Sequence, residues 1–174
     1  MNTMMNILRY FYQKRKLSTT DDTVPIFNLD GFKGYAKITN VYDGDTFKAC
    51  ILKHNRVLKF NFRTLGYDSP EMKPRLGIPH RQEYINAAVE ARELLKELVG
   101  FNNNITHKLW NPCLCKTKIN GFVYIECGKN DKYGRTLVTV YKHKNDSKSV
   151  NQQMIESGKV NTYDGGKKQD FNRQ

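Results

Sequence analysis

Six charged side chains of this sequence stand where turns or strand ends are predicted, and their types suit chemistry on a phosphate ester. They are Asp43, Asp45, Arg63, Asp68, Glu71 and Arg135. Carboxylate oxygens bind hard cations such as Ca²⁺, and a carboxylate that binds no metal can take a proton from water. Arginine offers a planar fork of donors for phosphate oxygens, which lysine cannot reproduce. Together these residue types suit a site that holds a hard cation next to an anionic group.

Each of these residues also has a purely structural explanation. The pair Asp43-Gly44 is a turn signal in any β protein, the segment Asp68-Ser69-Pro70 initiates a turn, and an arginine on a polar strand face is usually solvated. We assign Asp43 first to turn formation, with a secondary contribution to the field at a bound cation. The joint occurrence of the charged residues, and not any single one, favours a functional site.

The elements that must position these side chains follow from residue periodicity. Residues 35–41 and 46–52 are rich in β-formers and are joined by an Asp-Gly turn, which predicts a hairpin. In a third predicted strand, residues 57–65, Phe60 and Phe62 alternate with polar residues, so Arg63 falls on the opposite face.

The second half of the chain predicts two helices and further strands. Apolar residues at spacings of three and four predict a helix over 83–99 that ends at Gly100. Residues 123–127 and 136–141 are β-rich, and Ser149-x-x-Gln152 resembles a capping box that opens a short helix. This order, without a βαβ repeat, predicts a mainly β (α+β) fold: a five-stranded OB-type Greek-key barrel with about three helices.

Size and charge restrict the class of protein. The 174 residues suit one domain with tails, and 29 Lys and Arg against 17 Asp and Glu give a net charge of +12. This charge favours a polyanionic partner, DNA or RNA. With 39% hydrophobic residues the chain is too apolar for a disordered basic tail, and no apolar run reaches the roughly 18 residues of a membrane span. We expect a globular monomer without a membrane span.

The N-terminal segment is basic and is expected to precede the folded domain. Residues 1–20 contain no acid and five basic groups, counting the terminal amine, a composition compatible with an organellar transit peptide. An uninterrupted apolar run and a small-residue cleavage site are missing, so an intracellular location is favoured over secretion. We see no periodic apolar face here and predict a flexible basic arm over 1–29, an OB-barrel domain over 30–168, and a frayed tail over 169–174.

The cysteines do not form a disulfide framework. Cys50, Cys113, Cys115 and Cys127 contain no C-x-x-C pair, so a reducing compartment is the default. His107 with three of these cysteines could be offered as a zinc site. Tight zinc sites usually pair their ligands as C-x₂₋₄-C, however, and adjacent cysteines on a strand explain the pattern as well.

Three segments together resemble the signature blocks of the staphylococcal nuclease-like (thermonuclease) family. They read D-G-D-T at 43–46, R-x₄-D-S-P-E at 63–71 and D-K-Y-G-R at 131–135, in the family's order and spacing. The resemblance runs from about residue 34 to about residue 168. It implies an OB barrel with three helices and Ca²⁺-dependent hydrolysis of DNA and RNA phosphodiesters with low sequence specificity, leaving 3′-phosphates.

Matching by motif implies three groups of site residues. The calcium ligands would be Asp45, Asp68 and the backbone carbonyl of Ser69, where the best-known members have threonine. The catalytic groups would be the proposed general base Glu71 and the phosphate-gripping arginines Arg63 and Arg135. The side chains that line the nucleotide pocket would be Lys132, Tyr133 and Tyr163.

Two segments of the sequence differ from the family pattern, and one alternative function competes with the nuclease. The segment 102–121 is longer than the short bacterial members need, and the basic loop 73–81 differs in detail from the family's substrate-side loop. The alternative function is a non-catalytic nucleic-acid-binding module on the same OB-type barrel. Such a binder has no reason to keep Asp45, Asp68 and Glu71, which repel phosphate unless a cation bridges them.

Overall fold

The computed structural model of the protein describes residues 2–102 and 120–164. The elements within these ranges are, in chain order, α1 (Asn2–Leu17), β1 (Lys33–Val41), β2 (Thr46–Lys53), β3 (Arg56–Thr64), β4 (Tyr67–Asp68), α2 (Arg81–Val99), β5 (Phe122–Asn130), β6 (Thr136–Tyr141), α3 (Val150–Glu156) and β7 (Asn161–Thr162). Among them, no helix is long and apolar enough to cross a membrane.

Five strands close into a barrel in the order β1-β2-β3-β6-β5, and β5 pairs back onto β1. All neighbours run antiparallel except β3 and β6, whose parallel contact sets Arg63 beside Leu137. A separate two-stranded sheet pairs β4 with β7, so that Asp68 lies opposite Asn161. The predicted five-stranded OB-type barrel with helices is confirmed.

Alternating apolar residues of the strands fill the barrel. Phe47 and Phe62 are fully buried and stack with ring centroids 5.6 Å apart, and Ile38, Ile51 and Ile125 pack around them. Burying each such side chain contributes about 1.5–3 kcal/mol relative to leaving it exposed. Arg63, the next residue, lies on the opposite face of β3, as the period-two pattern predicts, and its side chain is largely buried there.

Helix α2 packs on the barrel through its small and apolar residues. Ala88, Ala91 and Leu95 are fully buried, as their spacing predicts, whereas Val99 is buried in place of Leu98, which is only partly covered. Gly100 ends the helix with a φ of 64°, a left-handed conformation that glycine adopts without a Cβ penalty.

Helix α3 is fixed to the seam between β3 and β6. The Ser149 hydroxyl accepts a hydrogen bond from the Gln152 N–H at 3.1 Å, as the capping sequence predicts. The buried Asn151 side chain accepts from the Val140 N–H at 2.9 Å and donates to the Leu65 carbonyl at 2.8 Å. One amide therefore ties the helix both to β6 and to the residue that follows β3.

The N-terminal segment differs from the expectation of an arm without a periodic apolar face. Residues 2–17 form α1, and the side chains of residues 4–28 are exposed. The sequence suggested no element because Arg9 and Lys14 interrupt the apolar run, but on a helix both side chains lie at the borders of the apolar face. Leu29, the last residue of the expected arm, is 1% exposed and belongs to the core, so the barrel domain includes it.

Candidate active site

Asp45 follows the β1–β2 turn and is held there by backbone and side-chain contacts. Oδ1 of Asp43 accepts hydrogen bonds from the N–H groups of Asp45 and Thr46, at 3.1 and 2.6 Å, which confirms the turn role of Asp43. The carbonyl of Asp45 accepts from the Thr64 N–H at 2.8 Å. Its Oδ2 accepts from the Ser69 N–H at 3.0 Å, so the first and second motif segments meet at this carboxylate.

Arg63 bridges the two carboxylates that motif matching assigns to a metal. Its Nη1 donates to Oδ1 of Asp45 at 3.0 Å, and its Nη2 lies 3.0 Å from Oδ2 of the same residue and also donates to Oδ1 of Asp68. The three side chains are nearly buried, with exposed fractions of 14%, 3% and 11% for Arg63, Asp45 and Asp68. Burial opposes the charge of Arg63, but the two carboxylates raise its pKa.

Negative charge exceeds positive charge in this cluster. Four carboxylates, those of Asp43, Asp45, Asp68 and Asp131, stand against two guanidiniums, those of Arg63 and Arg135. Burial and the charge of Asp43 raise the pKa of Asp45 to about 7, although Arg63 opposes the shift. An added cation would relieve this excess, and carboxylate oxygens are the ligands that calcium prefers.

The turn before Asp45 is pressed against the loop after β4 and against α2. A Cβ atom added at Gly44 would lie 2.8 Å from Cβ of Ser69 and 2.9 Å from Cβ of Ala91, closer than side-chain carbons pack. The buried Tyr67 hydroxyl donates to the Gly44 carbonyl at 2.8 Å, and burial raises the pKa of Tyr67, which keeps this donor neutral. Glycine at position 44 is therefore what allows the motif segments to converge.

The third motif segment brings Arg135 to the same cluster. Its Nε donates to Oδ2 of Asp131 at 2.7 Å, and its backbone N–H donates to Oδ1 of Asp131 at 2.9 Å. Although partial burial opposes it, hydrogen bonds from Arg135 lower the pKa of Asp131. Nη1 of Arg135 reaches Oγ1 of Thr46 at 3.3 Å, and that hydroxyl lies 2.7 Å from Oδ1 of Asp45. A continuous polar chain thus links the two predicted arginines through Thr46 and Asp45.

Three further predicted residues stand close in sequence to members of the cluster. Glu71 is exposed and follows buried Pro70, three residues after Asp68. Lys132 and Tyr133 are exposed, with Nζ of Lys132 5.1 Å from the Tyr133 ring centre.

A cavity of about 570 Å³ opens beside the cluster and brings Tyr163 to the same side of the barrel as Arg63. Both residues line it, and Leu137 of β6 forms part of its wall. The backbone N–H of Tyr163 donates to the Gly66 carbonyl at 3.0 Å, which anchors this wall to the loop before β4. Lys132 and Tyr133 are not among the residues that line this cavity.

Four residues that sequence reasoning did not assign take part in the arrangement: Gly44, Thr46, Tyr67 and Asp131. Thr46, Gly44 and Asp131 stood inside the quoted motifs. The pairing of β2 with β3, which the sequence analysis did not predict, places Thr46 opposite Arg63. Nothing in the sequence marked the Tyr67 hydroxyl as a partner of the hairpin turn.

Calcium and zinc were the two metals that the sequence suggested. In the described ranges, no group of three or more His, Cys, Asp or Glu residues could hold a metal ion; the expected calcium set has two carboxylates and one backbone carbonyl. Of the alternative zinc ligands, His107, Cys113 and Cys115 lie outside the described residues. Burial raises the pKa of Cys127 to about 12, which disfavours the thiolate that zinc requires.

Comparison with known families identifies the class of this domain. The family model of the staphylococcal nuclease homologue matches residues 61–174, well over half of the chain. The chain belongs to this family, as the motif resemblance predicted. The match includes Arg63, Asp68, Glu71 and Arg135, whereas Asp45 precedes it. No curated protein matches the chain. The fold and family define a nuclease-type or nucleic-acid-binding module.

Proposed function

We propose that this protein is a calcium-dependent endonuclease that hydrolyses phosphodiester bonds of DNA, RNA or both with low sequence specificity and leaves 3′-phosphates. One observation carries the proposal. Two carboxylates, Asp45 and Asp68, converge on Arg63 while Thr46 connects the same cluster to Arg135. A surface evolved only to attract phosphate would have no use for nearly buried acids at its centre.

The cluster fits a calcium ion by its donor types and its charge. Carboxylate oxygens of Asp45 and Asp68 and the backbone carbonyl of Ser69 would hold it, and six to eight oxygens in all leave positions for water and phosphate. The excess of carboxylates over guanidinium supplies the negative charge that a divalent cation offsets. When bound, calcium would neutralise part of the charge that accumulates on the phosphate oxygens during attack.

The catalytic roles fall to Glu71 and the two arginines. Glu71 accepts a proton from water, the water oxygen bonds to phosphorus, and the bond from phosphorus to the 5′ oxygen breaks. The leaving 5′ oxygen takes up a proton, and the phosphate stays on the 3′ side. Arg63 and Arg135 bind the equatorial oxygens with planar forks, which stabilises the transition state more than the bound substrate.

Binding of the nucleotide is assigned to side chains around the cluster. Tyr163 shares the cavity with Arg63, so a base or sugar entering there would lie next to the phosphate site. Lys132 and Tyr133 extend from the loop that carries Arg135 and offer a cation and an exposed ring. Stacking on an aromatic face tolerates every base, which suits low sequence specificity.

A specific observation favours the second candidate, a non-catalytic nucleic-acid-binding module. Arg63 is engaged with Asp45 and Asp68, and a protein that never exchanges this pairing would keep the fold without the reaction. The net charge of +12 serves binding equally well.

One assay separates the two candidates. The purified chain is incubated with single-stranded DNA, duplex DNA and RNA, in calcium, in magnesium and in chelator. We expect cleavage in calcium, loss in chelator and poor rescue by magnesium, which demands compact octahedral geometry. Products should resist 3′ extension by a polymerase until a phosphatase removes the 3′-phosphate. Calcium-independent binding without cleavage would establish the binding module, and equal cleavage in magnesium would remove the calcium assignment alone.

A further inference from the structure

Five large apolar side chains of helix α1 lie on one broad face, whereas Tyr10 and Leu17 lie on the other side. At 3.6 residues per turn, residues three, four or seven apart lie on the same side of a helix. Met4, Leu8 and Tyr12 follow one another at spacings of four, and Ile7 and Phe11 form a parallel row beside them. These two rows make a face that continues over about two and a half turns.

The cations of α1 lie along both borders of this apolar face. Helical geometry puts Lys16 and Arg9 along one border and Lys14 along the other, and Arg15 lies near the C-terminal end of the face. The long stem of an arginine can lie on an apolar surface while its head reaches water. Residues 2–17 contain no acid. The helix is therefore amphipathic and uniformly cationic.

Within residues 2–102 and 120–164, which the structure describes, nothing covers the apolar face. Exposed fractions of Met4, Ile7, Leu8, Phe11 and Tyr12 range from 52% to 74%. Monomeric proteins rarely expose contiguous apolar patches of this kind unless they bind something. The barrel does not need this helix for its core, because the buried residues begin at Leu29.

We propose that α1 docks on an anionic lipid surface. Its apolar face enters the boundary between headgroups and acyl chains, and the bordering Lys and Arg side chains contact lipid phosphates and carboxylates. A nucleic acid would use the cations but would leave Ile7 and Leu8 without a role. The charge pattern suits a planar anionic surface, since cations on both borders reach the headgroups at once. This inference is independent of the nuclease proposal.

Sedimentation of the full chain with lipid vesicles tests the proposal. Vesicles of phosphatidylcholine alone are compared with vesicles that contain roughly a third phosphatidylserine, and we expect at least about tenfold stronger binding to the anionic vesicles. The variant Leu8→Glu puts a charge on the apolar face. The matched control Asn6→Glu makes the same change of net charge on the opposite face. Leu8→Glu should weaken binding at least about thirtyfold and Asn6→Glu at most about fivefold.

A melting curve of each variant keeps the test interpretable. Both should melt with the parent protein, because α1 adds no buried residue to the core. Equal losses in the two variants, or no binding to anionic vesicles by the parent, would overturn the proposal. Leu8→Glu protein that keeps its vesicle binding but loses affinity for an oligonucleotide would assign the helix to nucleic acid and would overturn it as well.

Discussion

Arg63 meets Asp45 through two parallel contacts, Nη1 to Oδ1 and Nη2 to Oδ2, each 3.0 Å long. This fork-to-fork geometry is the one in which arginine most strongly binds a carboxylate, and a phosphate offers the same pair of oxygens. The proposed reaction therefore requires an exchange in which a cation takes over the carboxylates and Arg63 turns to phosphate.

The forks of the two arginines should matter more than their unit charge. We expect Arg63→Lys and Arg135→Lys each to lower turnover about 100-fold or more, because lysine cannot bind two equatorial oxygens at once. The control is Arg92→Lys on α2, where the side chain pairs with exposed Glu93 and turnover should stay within about twofold. Initial rates on a labelled oligonucleotide measure the effect, and near-parental rates for both site variants would refute the assigned roles.

Glu71→Gln should separate catalysis from binding. The change removes a proton acceptor and preserves shape, so cleavage should fall roughly 10²–10⁴-fold. Affinity for a short oligonucleotide in calcium should hold or rise, since one charge that repels phosphate is gone. The matched control is Glu97→Gln, at an exposed position of α2, which should leave both cleavage rate and affinity unchanged. If Glu71→Gln protein cuts at the parental rate, Glu71 is a turn residue, and another acid such as Asp43 supplies the base.

Gly44 should tolerate no side chain. Alanine there would force Cβ atoms to within 2.8 Å at Ser69 and 2.9 Å at Ala91, so Gly44→Ala should lower the free energy of unfolding by about 1–3 kcal/mol. The matched control is Gly128→Ala, where the nearest atom, the Leu137 carbonyl oxygen, lies 3.8 Å from the added carbon. Urea denaturation measures both variants. Equal stabilities would mean that the turn can move away from α2 at no cost.

Calcium binding should weaken as the pH falls below about 7. Asp45 has its pKa raised from 3.8 to about 7, so it carries a proton in the metal-free protein at acidic pH, and calcium must displace that proton. The half-saturating calcium concentration should rise about tenfold per pH unit below this pKa. Calcium titrations followed by melting temperature measure this, and a flat profile between pH 5 and 8 would contradict it.

The raised pKa of Asp45 also makes the free energy of unfolding of the metal-free protein depend on pH, in the opposite direction to calcium binding. The unfolded chain loses the Asp45 proton near its ordinary pKa, 3.8, whereas the folded protein holds it up to about 7. The contribution of this group to the free energy of unfolding is therefore full at low pH and declines as pH rises through that window. We therefore compare the free energies of unfolding of Asp45→Asn protein and the parent in chelator. The difference should favour the variant more at pH 8 than at pH 5.

Local patterns were enough to predict most of the barrel, because alternation and turn residues act within a few positions. The hairpin, β3 and α2 follow from such patterns, and Gly100 marks the helix end as expected. The burial of Leu29 was not predictable in this way, since it depends on packing against core residues that are distant in sequence. Helix α1 was missed because Arg9 and Lys14 interrupt the apolar run in sequence but not on a helical surface.

The site was predicted by type and only partly by arrangement. Motif spacing pointed to Asp45, Arg63 and Asp68 together, and these three residues do converge. Their mutual ion pairing was not foreseen, because the direction in which Arg63 turns depends on three-dimensional distances to both carboxylates. The link through Thr46 to Arg135 likewise depends on the β3–β6 contact, which joins residues far apart in sequence.

The parallel seam between β3 and β6 makes the site a late product of folding. Arg63 lies on β3, Arg135 immediately precedes β6, and Phe62 pairs with Thr136 across the seam only when a long stretch of chain has closed on itself. Closure of such long loops is slow compared with formation of a helix or a hairpin. On refolding we expect the helical circular-dichroism signal to return before cleavage does, and simultaneous recovery would contradict this order. A nascent or partly unfolded chain would then be harmless to nucleic acid.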